Sequence, residues 1–159
     1  KAKRNNFFIG NGLCFINNFK KGVKGKYMHN KTCWACGPDN EAGLKIKVDC
    51  DPVSHVSEAS FYVEERYAGN AGVAHGGVIC SIFDSLMTHS AMAYSRKKVF
   101  TASLEVKFKK KIPAGETIKI TCWYEKKRFG FLVMKGRITD HKNKVMASAN
   151  AMFSESETV

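Results

Sequence analysis

Asp84 is the only carboxylate between Glu65 and Glu105, and it lies inside a mostly apolar run that His75-Gly76-Gly77 opens. A lone acid in such surroundings costs free energy unless it is hydrogen-bonded or used. The paired glycines let the backbone come close to a ligand, and the start of a helix offers unbonded N–H groups at the positive end of its dipole. One element therefore carries a group that can polarise an electrophile and a candidate base. Gly77 and Asp84 are seven residues apart, roughly 10 Å along a helix axis. A donor and a base acting on one carbonyl must each sit within about 3 Å of their targets. Either the two do not cooperate, or the N-terminus of one helix meets Asp84 of a second copy. A two-fold dimer with antiparallel helices would do this twice.

The elements that must position these groups follow from periodicity. Val78, Ile79, Ile82, Phe83, Leu86, Met87 and Ala91 keep i, i+3, i+4 spacing and predict one amphipathic, largely buried helix reaching about Tyr94. Cys80, Ser81 and Thr88 share the stripe of Gly77 and Asp84, whereas His89 falls elsewhere. Ser95-Arg96-Lys97-Lys98 is a cationic stop suited to a helix C-terminus. Before the helix, Leu44, Ile46 and Val48 alternate with polar residues as in a half-buried strand, and a second strand is expected from Val56 to Val63. Tyr67 to Ala74 reads as a small-residue loop feeding the helix. After it come strands at Leu104–Lys109, Thr117–Glu125, Phe131–Thr139 and Lys144–Phe153, with tight turns at Arg128-Phe129-Gly130 and at Asp140 to Asn143. Two strands, a helix and four strands predict an α+β fold, an antiparallel β-sheet around one long central helix.

His75-Gly76-Gly77 followed by Asp84 resembles the helix signature of hotdog-fold thioesterases, in particular the PaaI-like acyl-CoA thioesterases. The stretch Cys33-Trp34-Ala35-Cys36-Gly37-Pro38-Asp39-Asn40-Glu41-Ala42-Gly43-Leu44 resembles the lead-in that many of them carry before their first strand. The likeness covers about residues 30 to 154. It implies a hotdog fold and hydrolysis of an acyl-CoA thioester to a carboxylic acid and free CoA by a homodimer or dimer of dimers. No metal or cofactor is implied, coenzyme A being part of the substrate. Asp84 would be the base or nucleophile, and an N–H of Gly76 or Gly77 would hold the developing oxyanion. His75 would position the loop or the substrate. Thr101 matches a hydroxyl that orients water in relatives, with Ser103 as the alternative. Some relatives carry an Asn six residues before the His; here that position is Gly69, with Asn70 one place off. Ser81 and Thr88 are candidate substrate contacts beside Asp84. Lys107 and Lys109, with Lys110 and Lys111, are candidates for the CoA phosphates. Each has a plainer alternative: a hydrogen-bonded acid, glycines that merely allow a turn, solvated lysines. A non-catalytic acyl-CoA sensor would keep the glycines and the basic residues without needing Asp84. A hotdog dehydratase would use a His–acid pair in a local motif absent here.

Composition bounds these readings. The 159 residues suit one domain, expected over 31–159, with residues 1–30 as an N-terminal arm or short helix. A net charge of +12 favours anionic partners, among them a phosphate-bearing substrate. No nucleic-acid-binding motif accompanies that charge, and nucleic acid is not expected as a partner. The six scattered cysteines suggest reduced thiols in a cytoplasmic protein. Cys33 and Cys36 form a Cys-x-x-Cys pair, but no second pair completes a zinc site, and the strand-before, helix-after setting of a redox dithiol is missing. No apolar run is long enough for a membrane span. Lys1 to Arg4 followed by Phe7-Phe8-Ile9 imitates a signal sequence, yet Asn-Gly-Asn interrupts it and no small-residue cleavage site follows.

Overall fold

The computed structural model describes residues 30–156. One helix, α1 (Gly76–Ser95), lies across a six-stranded antiparallel sheet of order β1-β2-β6-β7-β8-β5. These strands are β1 (Asp49–Cys50), β2 (Val56–Tyr62), β5 (Val99–Phe108), β6 (Thr117–Arg128), β7 (Phe131–Thr139) and β8 (Val145–Glu155). A separate two-stranded hairpin, β3 (Ala68–Asn70) and β4 (Val73–Ala74), leads directly into α1. Among the described residues no helix is long and apolar enough to cross a membrane. The expected α+β architecture, one long helix on an antiparallel sheet, is the one observed. The N-terminal arm expected over residues 1–30 lies, Asn30 apart, outside the described residues.

The apolar stripe of α1 does what its spacing implies. Ile79, Ile82, Phe83, Leu86 and Met87 are fully buried against the sheet. The strands answer with period two: Ile118, Ile120 and Cys122 on β6, Leu132, Met134 and Ile138 on β7, Ala147, Ala149, Ala151 and Phe153 on β8. The small residues on β7 and β8 let the helix lie close. A Cβ at Gly136 would stand 2.6 Å from Cys122 Sγ, 2.9 Å from Met87 Cε and 3.1 Å from Phe83 Cδ1. Buried hydroxyls are paired across the same interface. Ser57 Oγ donates to the Leu86 carbonyl at 2.7 Å, and Ser90 Oγ lies 2.9 Å from Ser57 Oγ and 3.1 Å from the Cys122 carbonyl.

Three expectations need correction. Leu44 to Val48 alternates in burial as foreseen but joins no strand ladder. Its backbone is spent instead on the preceding turn, the Leu44 and Ile46 N–H groups donating to the Trp34 and Ala35 carbonyls at 2.9 Å each. Only Asp49 and Cys50 pair with β2. The loop expected from Tyr67 to Ala74 is a 3-10 turn, Glu65–Tyr67, followed by the β3–β4 hairpin. Finally, β5 begins at Val99, five residues before the alternation becomes readable. The turn at Phe129-Gly130 is as expected: both residues have positive φ (50° and 82°), the two-residue hairpin geometry that matches strand twist.

Replacing Gly136 by Ala tests how tightly α1 is held. The added methyl has no room, so Gly136→Ala is expected to lower unfolding free energy by about 1–3 kcal/mol, the usual cost of overpacking. Urea unfolding of the two proteins measures it, and an unchanged midpoint would contradict this packing.

Candidate active site

The start of α1 is built around His75. The residue caps the helix from an extended conformation (φ −64°, ψ 131°), and its Nδ1 accepts the Gly77 N–H at 3.0 Å. With Nδ1 as acceptor, the proton of the neutral ring is on Nε2. The His75 carbonyl accepts from Val78 at 3.0 Å and Ile79 at 3.3 Å. Of the first-turn donors this leaves the Gly76 N–H without an acceptor among the described residues. The glycines also have steric reasons. A Cβ at Gly77 would lie 3.0 Å from His75 Nδ1, and one at Gly69 would lie 3.0 Å from His75 Cδ2. The ring thus folds over Gly77 and against Gly69. Both glycines were candidate oxyanion donors; the cap occupies Gly77, and Gly76 keeps its N–H directed away from the helix.

Gly76 opens onto a cavity of about 440 Å³ lined by Val73, Ala74, Ile79, Phe108, Lys109, Lys110, Lys111 and Ile112. The lysine run at the end of β5 therefore gathers beside the positive end of α1, a setting that favours an anion. Val73, Ile79, Phe108 and Ile112 give it apolar walls that no motif announced.

Asp84 lies half-buried two turns further along α1. Thr101 Oγ1 donates to its Oδ1 at 2.6 Å, a short hydrogen bond. No described residue donates to Oδ2. A bulge in β5 makes this contact. Thr101 pairs with Phe153 and Ser103 with Met152, so Ala102 is the extra residue. The phase of the strand shifts there. Leu104, Val106 and Phe108 pair with Ala151, Ala149 and Ala147 on the helix side, and the bulge brings Thr101 to that side too. Ser103 is left on the outer face with Glu105 and Lys107. Between the two candidate hydroxyls, only that of Thr101 reaches Asp84.

The other candidates divide clearly. Ser81 Oγ donates to the Gly77 carbonyl at 2.9 Å and Thr88 Oγ1 to the Asp84 carbonyl at 2.8 Å, so both hydroxyl protons are spent on the helix backbone. Their side chains still flank Asp84 on the half-open stripe. Lys107, in contrast to Lys109, is not part of the cavity; it faces outward, 3.4 Å from Glu105. Asn70 is exposed at the end of β3 and does not line the cavity. Burial raises the pKa of the Cys80 thiol, which suits a packing residue better than a nucleophile. No group of three or more His, Cys, Asp or Glu suited to a metal ion occurs among the described residues.

A family model described as the thioesterase superfamily matches residues 71–147, from the β3–β4 turn through α1 into β8. The fold is a hotdog, one long helix packed on a six-stranded antiparallel sheet. Solved structures share this fold at low sequence identity. A crystal structure of a thioesterase superfamily protein is 20% identical, with a TM-score of 0.71 over 79% of this chain and 61% of its own. The chain therefore spans less than two thirds of that relative. The Escherichia coli PaaI protein of the phenylacetic acid degradation operon is 16% identical, TM-score 0.64, over 71% of this chain and 80% of its own. An acyl-CoA hydrolase from Staphylococcus aureus, solved with butyryl coenzyme A and coenzyme A, is 18% identical, TM-score 0.63, over 67% of this chain and 66% of its own. No curated protein matches the sequence.

The cap gives a direct test. His75→Ala removes the acceptor of the Gly77 N–H and is expected to cost about 1 kcal/mol of unfolding free energy. His75→Asn, whose side-chain oxygen can take the same N–H, should restore most of it. Equal urea midpoints for the two variants would count against the capping role.

Proposed function

We propose that the chain is an acyl-CoA thioesterase that acts as a homodimer, with each site shared between two copies. The observation that carries this reading is the Thr101–Asp84 hydrogen bond on the half-open face of α1. The hydroxyl fixes Oδ1 and directs Oδ2 outward. In the simplest course Oδ2 takes a proton from water as that water adds to the thioester carbonyl, and CoA leaves as the thiol. Direct attack by the same oxygen is the other course open to the carboxylate. The Gly76 N–H, backed by the helix dipole, would hold the oxyanion. Lys109, Lys110 and Lys111 would meet the phosphates, in keeping with the coenzyme A ligands of the Staphylococcus aureus hydrolase.

Gly76 and Asp84 are about 12 Å apart along α1, so one copy cannot bring both to one carbonyl. The edge strand β5 supports a second copy. It is ten residues long and carries no further partner among the described residues. Phe100 and Phe108 are 61% and 52% exposed on it. An unpaired edge of this kind is a template for another strand. Its start holds Asp84 through Thr101. Its end lies against Gly76, where an added Cβ would stand 3.6 Å from the Phe108 ring. Antiparallel pairing of two β5 strands about their middle would set Thr101 of one copy near Phe108 of the other. Asp84 of one copy would then face Gly76 of the second, twice per dimer.

Release of CoA from acetyl, medium-chain, long-chain and aryl esters tests the activity. Asp84→Asn should lose at least about a hundredfold in turnover, and Thr101→Val less. Gly76→Pro removes the proposed oxyanion donor at the first helical position, where proline is tolerated. Each variant alone should be poorly active, and mixed dimers of the Asp84→Asn and Gly76→Pro subunits should regain activity through one intact site. Binding of an acyl-CoA without turnover would replace the enzyme by a sensor, and failure of the mixture to recover would remove the shared site.

A further inference from the structure

The Cys33–Cys36 pair belongs to none of the chemistry above and stands in a setting of its own. Residues 33–37 close a single helical turn, the Gly37 N–H donating to the Cys33 carbonyl at 2.8 Å. The turn is clamped from outside. Cys33 N–H donates to the Asn30 carbonyl at 2.9 Å, Asp39 N–H to the Lys31 carbonyl at 3.0 Å, and Asn40 Nδ2 to the Thr32 carbonyl at 3.1 Å. It is so tight that a Cβ at Gly37 would lie 2.4 Å from both Cys33 N and the Lys31 carbonyl oxygen. Residues three apart in such a turn share a face, with Cβ atoms about 5–6 Å apart. A disulfide needs about 3.5–4.5 Å, so a small closing movement suffices.

The two thiols are neighbours but not equivalent. Burial pushes the Cys36 thiol up to about 12, with Ser85 of α1 beside it acting in the opposite sense and Cys33 adding to the rise. Both are half-buried, but Cys33 stands between the exposed Thr32 and Trp34, whereas Cys36 stands between the buried Ala35 and Gly37. Such asymmetry gives one thiol that meets a reagent and one that resolves the product. The remaining described cysteines offer no comparable pair: Cys122 is fully buried on β6, Cys80 is in α1, and Cys50 ends β1.

We propose that Cys33 and Cys36 are a reversible dithiol–disulfide site, closed by exchange with a low-molecular-weight disulfide such as oxidised glutathione. Cys33, having given its proton to solvent, attacks one sulfur of the external disulfide and expels one thiolate, which is protonated. Cys36 then loses its proton and attacks Cys33 Sγ, expelling the second thiol. Two protein thiols are oxidised to one disulfide, and the external disulfide is reduced to two thiols. The site lies against the helix that carries Asp84, because Ser85 follows it directly. Its chemistry is independent of the thioesterase reading.

The full chain, equilibrated with mixtures of reduced and oxidised glutathione, alkylated and measured by intact and peptide mass, gives the test. The expected product has lost two hydrogens, carries a link between Cys33 and Cys36, and is restored by dithiothreitol. Cys36→Ser should retain one glutathione on Cys33, whereas Cys33→Ser should carry none on Cys36. A wild-type chain whose Cys33 and Cys36 both remain fully alkylated in oxidised glutathione would overturn the site. An adduct on Cys36 in Cys33→Ser, with none on Cys33 in Cys36→Ser, would overturn the assignment of the attacking thiol.

Discussion

The site depends on how closely α1 lies on the sheet. Gly136 and the alanines of β8 remove the side chains that would hold the helix away, and the Ser57–Ser90 pair fixes its rotation by tying it to β2 and β6. Once that rotation is set, the face with Phe83, Leu86 and Met87 is sealed and the face with Gly77, Ser81, Asp84 and Thr88 is left half-open. An ionised carboxylate on the sealed face would carry a desolvation cost of several kcal/mol. On the half-open face it needs only one good donor, and Thr101 provides it.

The same tightness governs the helix start. The β3–β4 hairpin delivers His75 with its ring over Gly77, and the cap that results consumes one backbone donor. In the His-Gly-Gly motif His75 and Gly77 thus have hydrogen-bonding and steric reasons, while a Cβ at Gly76 would meet only an ordinary contact with Phe108 at 3.6 Å. What the motif leaves over is one N–H, that of Gly76, a residue lining a cavity with a cationic rim. Three of the chain's cations, Lys109, Lys110 and Lys111, share that cavity, while Lys107, two positions earlier, faces outward and pairs with Glu105.

The helix, its polar stripe and the strands from β6 to β8 were legible in the sequence because each rests on a period that burial enforces. Asp84 stood out for the same reason, as the exception within an apolar pattern. The choice between Thr101 and Ser103 was not legible, since a period of two places both on one face and only the Ala102 bulge separates them. Leu44 to Val48 shows the converse error. Its alternation is real, and Leu44 and Ile46 are buried, but alternation reports which side chains face the core and not where the backbone finds its partners. Cys33-x-x-Cys36 was set aside for lack of flanking elements. The tight turn that brings the thiols together depends on hydrogen bonds to residues 30 to 32 and on the fit of Gly37, neither of which spacing reveals.

The half-open face and the unpaired edge have a common physical origin. β5 closes the sheet on the side where α1 turns its polar stripe, so its helix-side residues Leu104, Val106 and Phe108 are not fully covered by their own chain. Fully burying a phenylalanine contributes about 1.5–3 kcal/mol, and Phe100 and Phe108, 61% and 52% exposed, would each bring roughly half of that to a contact along β5. The strand that would gain most from a second copy is also the strand whose two ends touch Asp84 and Gly76. Within a single chain Gly76 and Asp84 are separated by two helical turns. Under the proposed function an antiparallel partner along β5 would bring Gly76 and Asp84 together, and assembly and chemistry would rest on one strand.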